Sequence, residues 1–206
     1  MPPDPQLTYE AGRIACLETE RLILRQWRDS DFPAFAKINA DVLVMKHFPA
    51  VLSQAESDAL AKRIQSLIAE NGWGFWAVEY KETGDFLGFV GLHRQVETSA
   101  LPFAPCVEIG WRLASPCWGK GIATEAARAA LHFAFAVLDL RQVLAFTALT
   151  NQPSQRVMSK LGMQNCHADF LHPALPEGHP LQCHCLYHIT REQWHTASYI
   201  DSARFQ

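Results

Sequence analysis

Cys117-Trp-Gly-Lys-Gly-Ile-Ala-Thr-Glu-Ala126 is the stretch that decides the reading of this chain. Gly119 and Gly121 flank Lys120 and open a segment with helical periodicity from 120 to 138. Before them lies a β-like run, Val107 to Leu113, closed by Ser115-Pro116. A strand, a glycine-bearing turn and a helix start leave backbone N–H groups without partners at the positive end of a helix. Glycine supplies positive φ and close backbone approach there. The stretch therefore predicts an anion site for a phosphorylated cofactor.

Two better-known phosphate motifs are excluded. The P-loop pattern needs Gly-Lys-Ser/Thr after an upstream glycine, yet Gly121 follows Lys120 directly. The dinucleotide pattern Gly-x-Gly-x-x-Gly fails at Thr124, where its third glycine would stand, and no acidic residue closes a strand about 20 positions on. That removes a Rossmann-type dehydrogenase.

Outward from the turn, the chain reads as one α+β domain. An apolar fraction of 49% over 206 residues supplies a core. A net charge of −3 argues against a general nucleic-acid binder. No apolar run approaches about 18 residues, so no membrane span is expected. The opening Met-Pro-Pro-Asp-Pro-Gln lacks the pattern of a signal peptide, and a cytoplasmic protein is expected. The six cysteines follow no framework spacing, which predicts reduced and mostly buried thiols. Cys183-His-Cys185 invites a metal reading, but on a strand Cys183 and Cys185 face one way and His184 and His188 the other. No metal site is predicted, and His184 is expected at the surface.

Residues 1–15 are Pro-rich and expected to be loose, with one domain over 16–198 and a tail at 199–206. Leu17 to Arg25 alternates as a first strand. Asp29-Ser-Asp-Phe-Pro opens a helix to about Val44. Ser53-Gln-Ala-Glu56 has capping-box spacing before a second helix that ends near Asn71-Gly72. Gly74–Tyr80 and Phe86–His93 flank the hairpin turn Glu82-Thr-Gly-Asp85. Strand 105–113, the glycine turn and helix 120–138 follow; Ala127, Leu131, Phe135 and Leu138 form that helix's core stripe. A strand at 142–149, a short helix at 153–161 and a strand pair at 163–171 and 181–190 complete the order. Only one unit is strand–helix–strand, so a mixed sheet of about seven strands with about four helices is predicted.

Three segments in this order resemble the GNAT superfamily of acetyl-CoA-dependent N-acetyltransferases, and most closely its ribosomal-protein N-terminal acetyltransferase-like branch. Val107-Glu-Ile-Gly-Trp-Arg-Leu113 resembles the family's fourth strand. Trp118-Gly-Lys-Gly-Ile-Ala-Thr-Glu-Ala126 resembles the pyrophosphate loop, with Trp118 where many relatives have Arg or Gln. Asn151-Gln-Pro-Ser154, with Val157 and Lys160-Leu-Gly-Met163, resembles the segment after the fifth strand, with Met163 in place of Phe.

The resemblance implies a GNAT fold and acetyl transfer from acetyl-CoA to an amine acceptor, a peptide N-terminus or a small molecule, without a covalent enzyme intermediate. A non-catalytic acyl-CoA-binding module is the alternative. The cofactor-binding residues it implies are Trp111, Arg112 and Leu113 along the pantetheine arm and Gly119, Lys120, Gly121, Ile122, Ala123 and Thr124 at the diphosphate. Asn151 would contact the arm. Ser154, standing where many relatives carry a tyrosine acid nearby, would protonate the leaving thiolate, and Glu108 would serve as general base through water. Glu125 reads as a favourable charge in the first helical turn. Acceptor-side candidates are His47-Phe48, Trp73 to Trp76, His93, and the 171–181 loop with His172 and His179. The slight acidity suits a cationic amine or a basic peptide; a monomer or homodimer is expected.

Overall fold

The computed structural model describes residues 6–8 and 13–196; the expected tail, 199–206, lies outside the described residues. Ten strands form one sheet: β1 (Gln6–Thr8), β2 (Cys16–Glu18), β3 (Leu22–Arg25), β4 (Phe75–Tyr80), β5 (Phe86–Gln95), β6 (Cys106–Leu113), β7 (Gln142–Ala148), β8 (Gln164–Asn165), β9 (Phe170–Leu171) and β10 (Cys183–Thr190). They run in the order β1-β2-β3-β4-β5-β6-β7-β10-β8, with β9 also paired to β10. Every pairing is antiparallel except β6 with β7, so the sheet is mixed as expected. The helices are α1 (Phe32–Ala40), α2 (Gln54–Asn71), α3 (Ile122–Ala136), α4 (Gln152–Lys160) and a short turn of helix over 191–196.

The local signals explain most of these elements. Ser53 Oγ accepts from Glu56 N–H while Glu56 Oε2 accepts from Ser53 N–H, the two halves of the capping box. Gly72 ends α2 at φ +77. On α3, Ala127, Leu131 and Phe135 are buried in the main core. Trp76, wholly buried, packs edge-on against Phe133 at 5.4 Å and donates its indole N–H to Ala15 C=O.

Three expectations change. The strand read over 17–25 is a hairpin, because Thr19 turns the chain: its N–H donates to Leu22 C=O and its hydroxyl accepts from Leu22 N–H. The helix read to Val44 stops at Ala40, where Asp41 accepts from Leu43 N–H and from Ser115 Oγ (2.7 Å), and a 3-10 turn follows over Val44–His47. Gln6–Thr8, placed in a loose leader, pairs with β2. The thiols also differ: Cys185 is buried and the other five are half-buried.

Candidate functional site

The one parallel pairing among the described residues is where a site can form. β6 and β7 meet in register only at Glu108↔Leu144. Beyond that point Ile109–Leu113 and Ala145–Ala148 have no ladder with each other, while β5 and β10 hold their outer edges. A wedge opens between two strands of one sheet and widens toward the glycine turn.

Ala114 N–H donates to Leu87 C=O (2.9 Å), and alternation along an antiparallel ladder sets the rest of β6. Arg112, Gly110 and Glu108 turn their peptide groups toward β5. Ile109, Trp111 and Leu113 turn theirs into the wedge. Of the three residues expected along an inserted arm, Trp111 thus offers both N–H and C=O. Leu113 offers less, since Trp118 Nε1–H already donates to its C=O at 2.9 Å. Arg112 offers no backbone group, because its register partner Phe89 takes that edge. Sequence alternation alone carries no information about which edge a residue presents.

At the wide end, Gly119 and Gly121 adopt φ +75 and +80, which an L side chain adopts at a cost. Gly121 caps α3, and Glu125 N–H is the first amide to close back, onto Gly121 C=O at 3.0 Å. The amides of Ile122, Ala123 and Thr124 therefore have no carbonyl behind them in the helix, and the macrodipole adds about half a positive charge. Lys120 is exposed on the same turn. The six residues expected at a diphosphate are thus contiguous in space.

A contact from far away in sequence holds this turn. Glu125 accepts from Arg21 Nε (2.7 Å), Arg21 Nη2 (2.6 Å), Arg21 N–H (3.0 Å) and Thr19 Oγ1 (2.6 Å). Arg21 Nη1 also donates to Lys120 C=O at 3.1 Å. Glu125 is therefore an anchor as well as a favourable helix charge. Arg21 was not found from sequence, and only the turn at Thr19 could have signalled it.

Across the wedge, α4 brings Ser154 against β6: Trp111 Nε1–H donates to Ser154 Oγ at 3.3 Å. The Ser154 hydroxyl keeps its own proton to donate. Asn151 caps α4, with Oδ1 accepting from Ser154 N–H (3.3 Å) and Nδ2 donating to Thr147 Oγ1 (2.8 Å). Both ends of its amide are engaged, so Asn151 positions Ser154.

The opposite face of the sheet, under α1 and the segment after it, carries Glu108. Its Oε1 accepts from Gln95 Nε2 (3.0 Å) and lies 3.2 Å from His93 Nδ1. The His93 ring stacks on Phe75, with centroids 5.5 Å apart. With Nδ1–H turned to Glu108, Nε2 keeps a lone pair that can take a proton. Glu108 and His93 had been separate candidates; the β5/β6 register makes them a pair. His47 Nδ1 lies 3.4 Å from Thr150 Oγ1, so the segment after α1 reaches the end of β7.

Next to this face lies a cavity of about 280 Å³ lined by Gln95, Leu101, Phe146, His172 and neighbours. Burial pulls the His172 pKa down, against an upward pull from Glu108. Its Nδ1 accepts from Ala174 N–H. His184, expected at the surface, is buried with centroid distances of 4.8 Å to His172 and 5.7 Å to Phe170. Burial lowers its pKa too. On the face it shares with Phe146 it is flanked by Phe170, its partner on β9, and by His172, neighbours that alternation could not foretell. Trp73 and Trp76 are core residues, and His179 Nδ1 accepts from Leu181 N–H within its own turn. Among the described residues no three His, Cys, Asp or Glu side chains gather to hold a metal, and no helix is long and apolar enough to cross a membrane.

The chain is similar to known proteins along most of its length. Over 86% of this chain and 98% of its own length, the N-acetyltransferase YnaD of Bacillus subtilis is 27% identical. The FsC-acetyl coenzyme A-N(2)-transacetylase of Aspergillus fumigatus is 32% identical over 60% of this chain and 52% of its own. A crystal structure of a GNAT-family acetyltransferase from Bacillus anthracis superposes with a TM-score of 0.71 at 26% identity, covering 86% of this chain and 99% of that one. The family model for the acetyltransferase (GNAT) domain matches residues 21–164, from the arginine that holds the glycine turn to the strand after α4. With well over half its length inside that model, the chain belongs to the GNAT acetyltransferase family and is an acetyltransferase.

Proposed function

We propose that this enzyme transfers acetyl from acetyl-CoA to a primary amine by direct attack within a ternary complex, as a cytoplasmic monomer or homodimer. The observation that carries the reading is the β6/β7 wedge opening onto the unpartnered amides of α3. The diphosphate lies on the amides of Gly119 to Thr124, and the pantetheine arm enters the wedge as an added strand against Trp111. This brings the thioester to the level of Gly110, where the acceptor face begins.

The chemistry has three needs. A free α-amine has a pKa near 8 and a lysine amine near 10.4, so the acceptor must lose a proton before attack. His93, oriented by Glu108, takes it, directly or through water, and the carboxylate stabilises the imidazolium that results. As nitrogen bonds to the carbonyl carbon, charge moves onto the carbonyl oxygen, which the Trp111 N–H stabilises. The C–S bond then breaks and the thiolate takes the Ser154 proton; the second proton of the attacking nitrogen leaves to solvent, and solvent restores the serine. The likeness to the ribosomal-protein branch favours an α-amine; the 280 Å³ cavity accommodates either a first peptide residue or a small molecule.

The test is a thiol-release screen with acetyl-CoA over N-terminal peptides and free amines. Turnover should appear with at least one acceptor, and Ser154→Ala and Glu108→Gln should lower it while acetyl-CoA affinity stays within about threefold. Tight acetyl-CoA binding with no thiol release from any amine would contradict the proposal.

A further inference from the structure

One cation on the acceptor face has no anion. Arg112 Nη1 donates to Asn39 Oδ1 at 2.7 Å, and its guanidinium lies 4.0 Å from the Phe48 ring centroid and 5.7 Å from that of Phe89. Its Nε is buried and has no hydrogen-bond acceptor. No carboxylate lies within ion-pair distance among the described residues. Arg25, also on the sheet, takes Asp31 at 2.8 Å and Glu79 at 2.6 Å. Arg21 has Glu125 and Arg191 has Asp139. Burial alone pulls the Arg112 pKa down to about 10, with no acid pushing it back.

The cradle is rigid. Asn39 is fully buried, and its Nδ2 donates to Ser57 Oγ at 2.8 Å, which fixes Oδ1 toward the arginine. Aromatic rings suit a flat, weakly hydrated guanidinium and leave its remaining N–H groups unspent. A desolvated charge held this way, without a partner, costs the fold stability and waits for an anion.

Position says which anion. Arg112 and Glu108 share one face of β6, with the Phe75 ring lying over Gly110 between them, and Phe48 belongs to the segment that reaches Thr150. A negative and a positive group on one face match a zwitterion, the ammonium toward Glu108 and the anion toward Arg112. A single guanidinium matches a monoanion, whereas a phosphate dianion would meet only one cation.

Resting on the acetyl-transfer reading, we propose that Arg112 is the acceptor-specificity residue, binding a carboxylate carried by the amine substrate in its Phe48–Phe89–Asn39 cradle. The acceptor is then an amino acid or a compound ending in one, and polyamines are poor acceptors.

The test pairs free acids with their carboxamides: the twenty L-amino acids and ω-amino acids of two to six carbons, with thiol release read at saturating acetyl-CoA. The carboxamide lowers the basicity of a nearby amine and so favours the amide chemically; preference for the acid must come from the protein. At least one pair should favour the acid by tenfold or more in kcat/KM, with Arg112→Met bringing that ratio to near one and Arg112→Lys keeping part of it. An acid-to-amide ratio near one in every pair overturns the proposal. So does a ratio that survives Arg112→Met while both members fall alike, because that marks a structural role. Should no amine release thiol, the transfer reading fails, and Arg112 is read by thermal shift with CoA and the same pairs. Stabilisation by acids, lost in Arg112→Met, supports the carboxylate site; equal shifts with acids and amides refute it.

Discussion

Replacing Glu125 with alanine tests how the phosphate turn is held. The carboxylate accepts four hydrogen bonds, three from Arg21 and one from Thr19, at 2.6 to 3.0 Å. Bonds to a charged group contribute about 1.5–3 kcal/mol each when isolated, but these act as a unit and are not additive. The side chains are 37% and 20% exposed, so solvent weakens the ion pair further. The first-turn charge at α3 adds about 0.5 kcal/mol. The expected loss is about 2–3 kcal/mol, which for a chain of this size lowers Tm by about 5–10 °C. Arg21 then also releases Lys120 C=O, and the turn must be ordered when cofactor binds. Fixing about one residue costs about 1.4 kcal/mol, or a tenfold weaker Kd. Thermal melting and calorimetry with CoA read both effects, and Glu125→Gln, which keeps shape without charge, should fall between. A Glu125→Ala protein melting within 2 °C of wild type with a Kd within twofold would refute the clamp.

Other outcomes follow from the same geometry. Glu108→Gln should lower kcat/KM about a hundredfold, the low end for a lost general base, because His93 loses the charge that stabilises its protonated form; stopped-flow thiol release checks it. Gly91→Ala would put a Cβ 2.0 Å from Gly74 C=O and 2.9 Å from Phe75 Cα, both backbone, and should cost about 3 kcal/mol or more in urea unfolding. His184 has a pKa lowered by burial, so the unfolded chain binds its proton more readily. Its contribution is intact above the ordinary imidazole pKa near 6.5 and is lost as pH falls below it. His184→Phe should therefore flatten the drop in Tm between pH 7.5 and pH 5.5.

Signals that reside in a few neighbouring residues were legible in the sequence. The Ser53–Glu56 box, the Gly72 stop, the Gly84 hairpin and the glycine turn at 119–121 each fold as their own chemistry requires. The core stripe of α3 was legible for the same reason. What escaped depends on partners distant along the chain. Arg21 meets Glu125 across 104 residues, and apart from the turn at Thr19 nothing near either residue marks the pairing. Burial of His184 depends on β9 pairing beside β10 and setting Phe170 and His172 against it, so alternation gave its face but not its neighbours. The Arg112 side chain and backbone part ways, one toward α1 and the other toward β5, a distinction set by ladder register. Asp41 ended α1 early because its carboxylate found Ser115, 74 residues on.

On the proposed reading, coenzyme A threads the gap between β6 and β7 with its diphosphate on the mouth of α3. A crystal structure of the CoA complex tests this most directly. Diphosphate oxygens should lie about 3 Å from the amides of Ile122 to Thr124, and a pantetheine amide should pair with Trp111. Coenzyme A bound away from the glycine turn, or lying on the sheet without entering that gap, would contradict it.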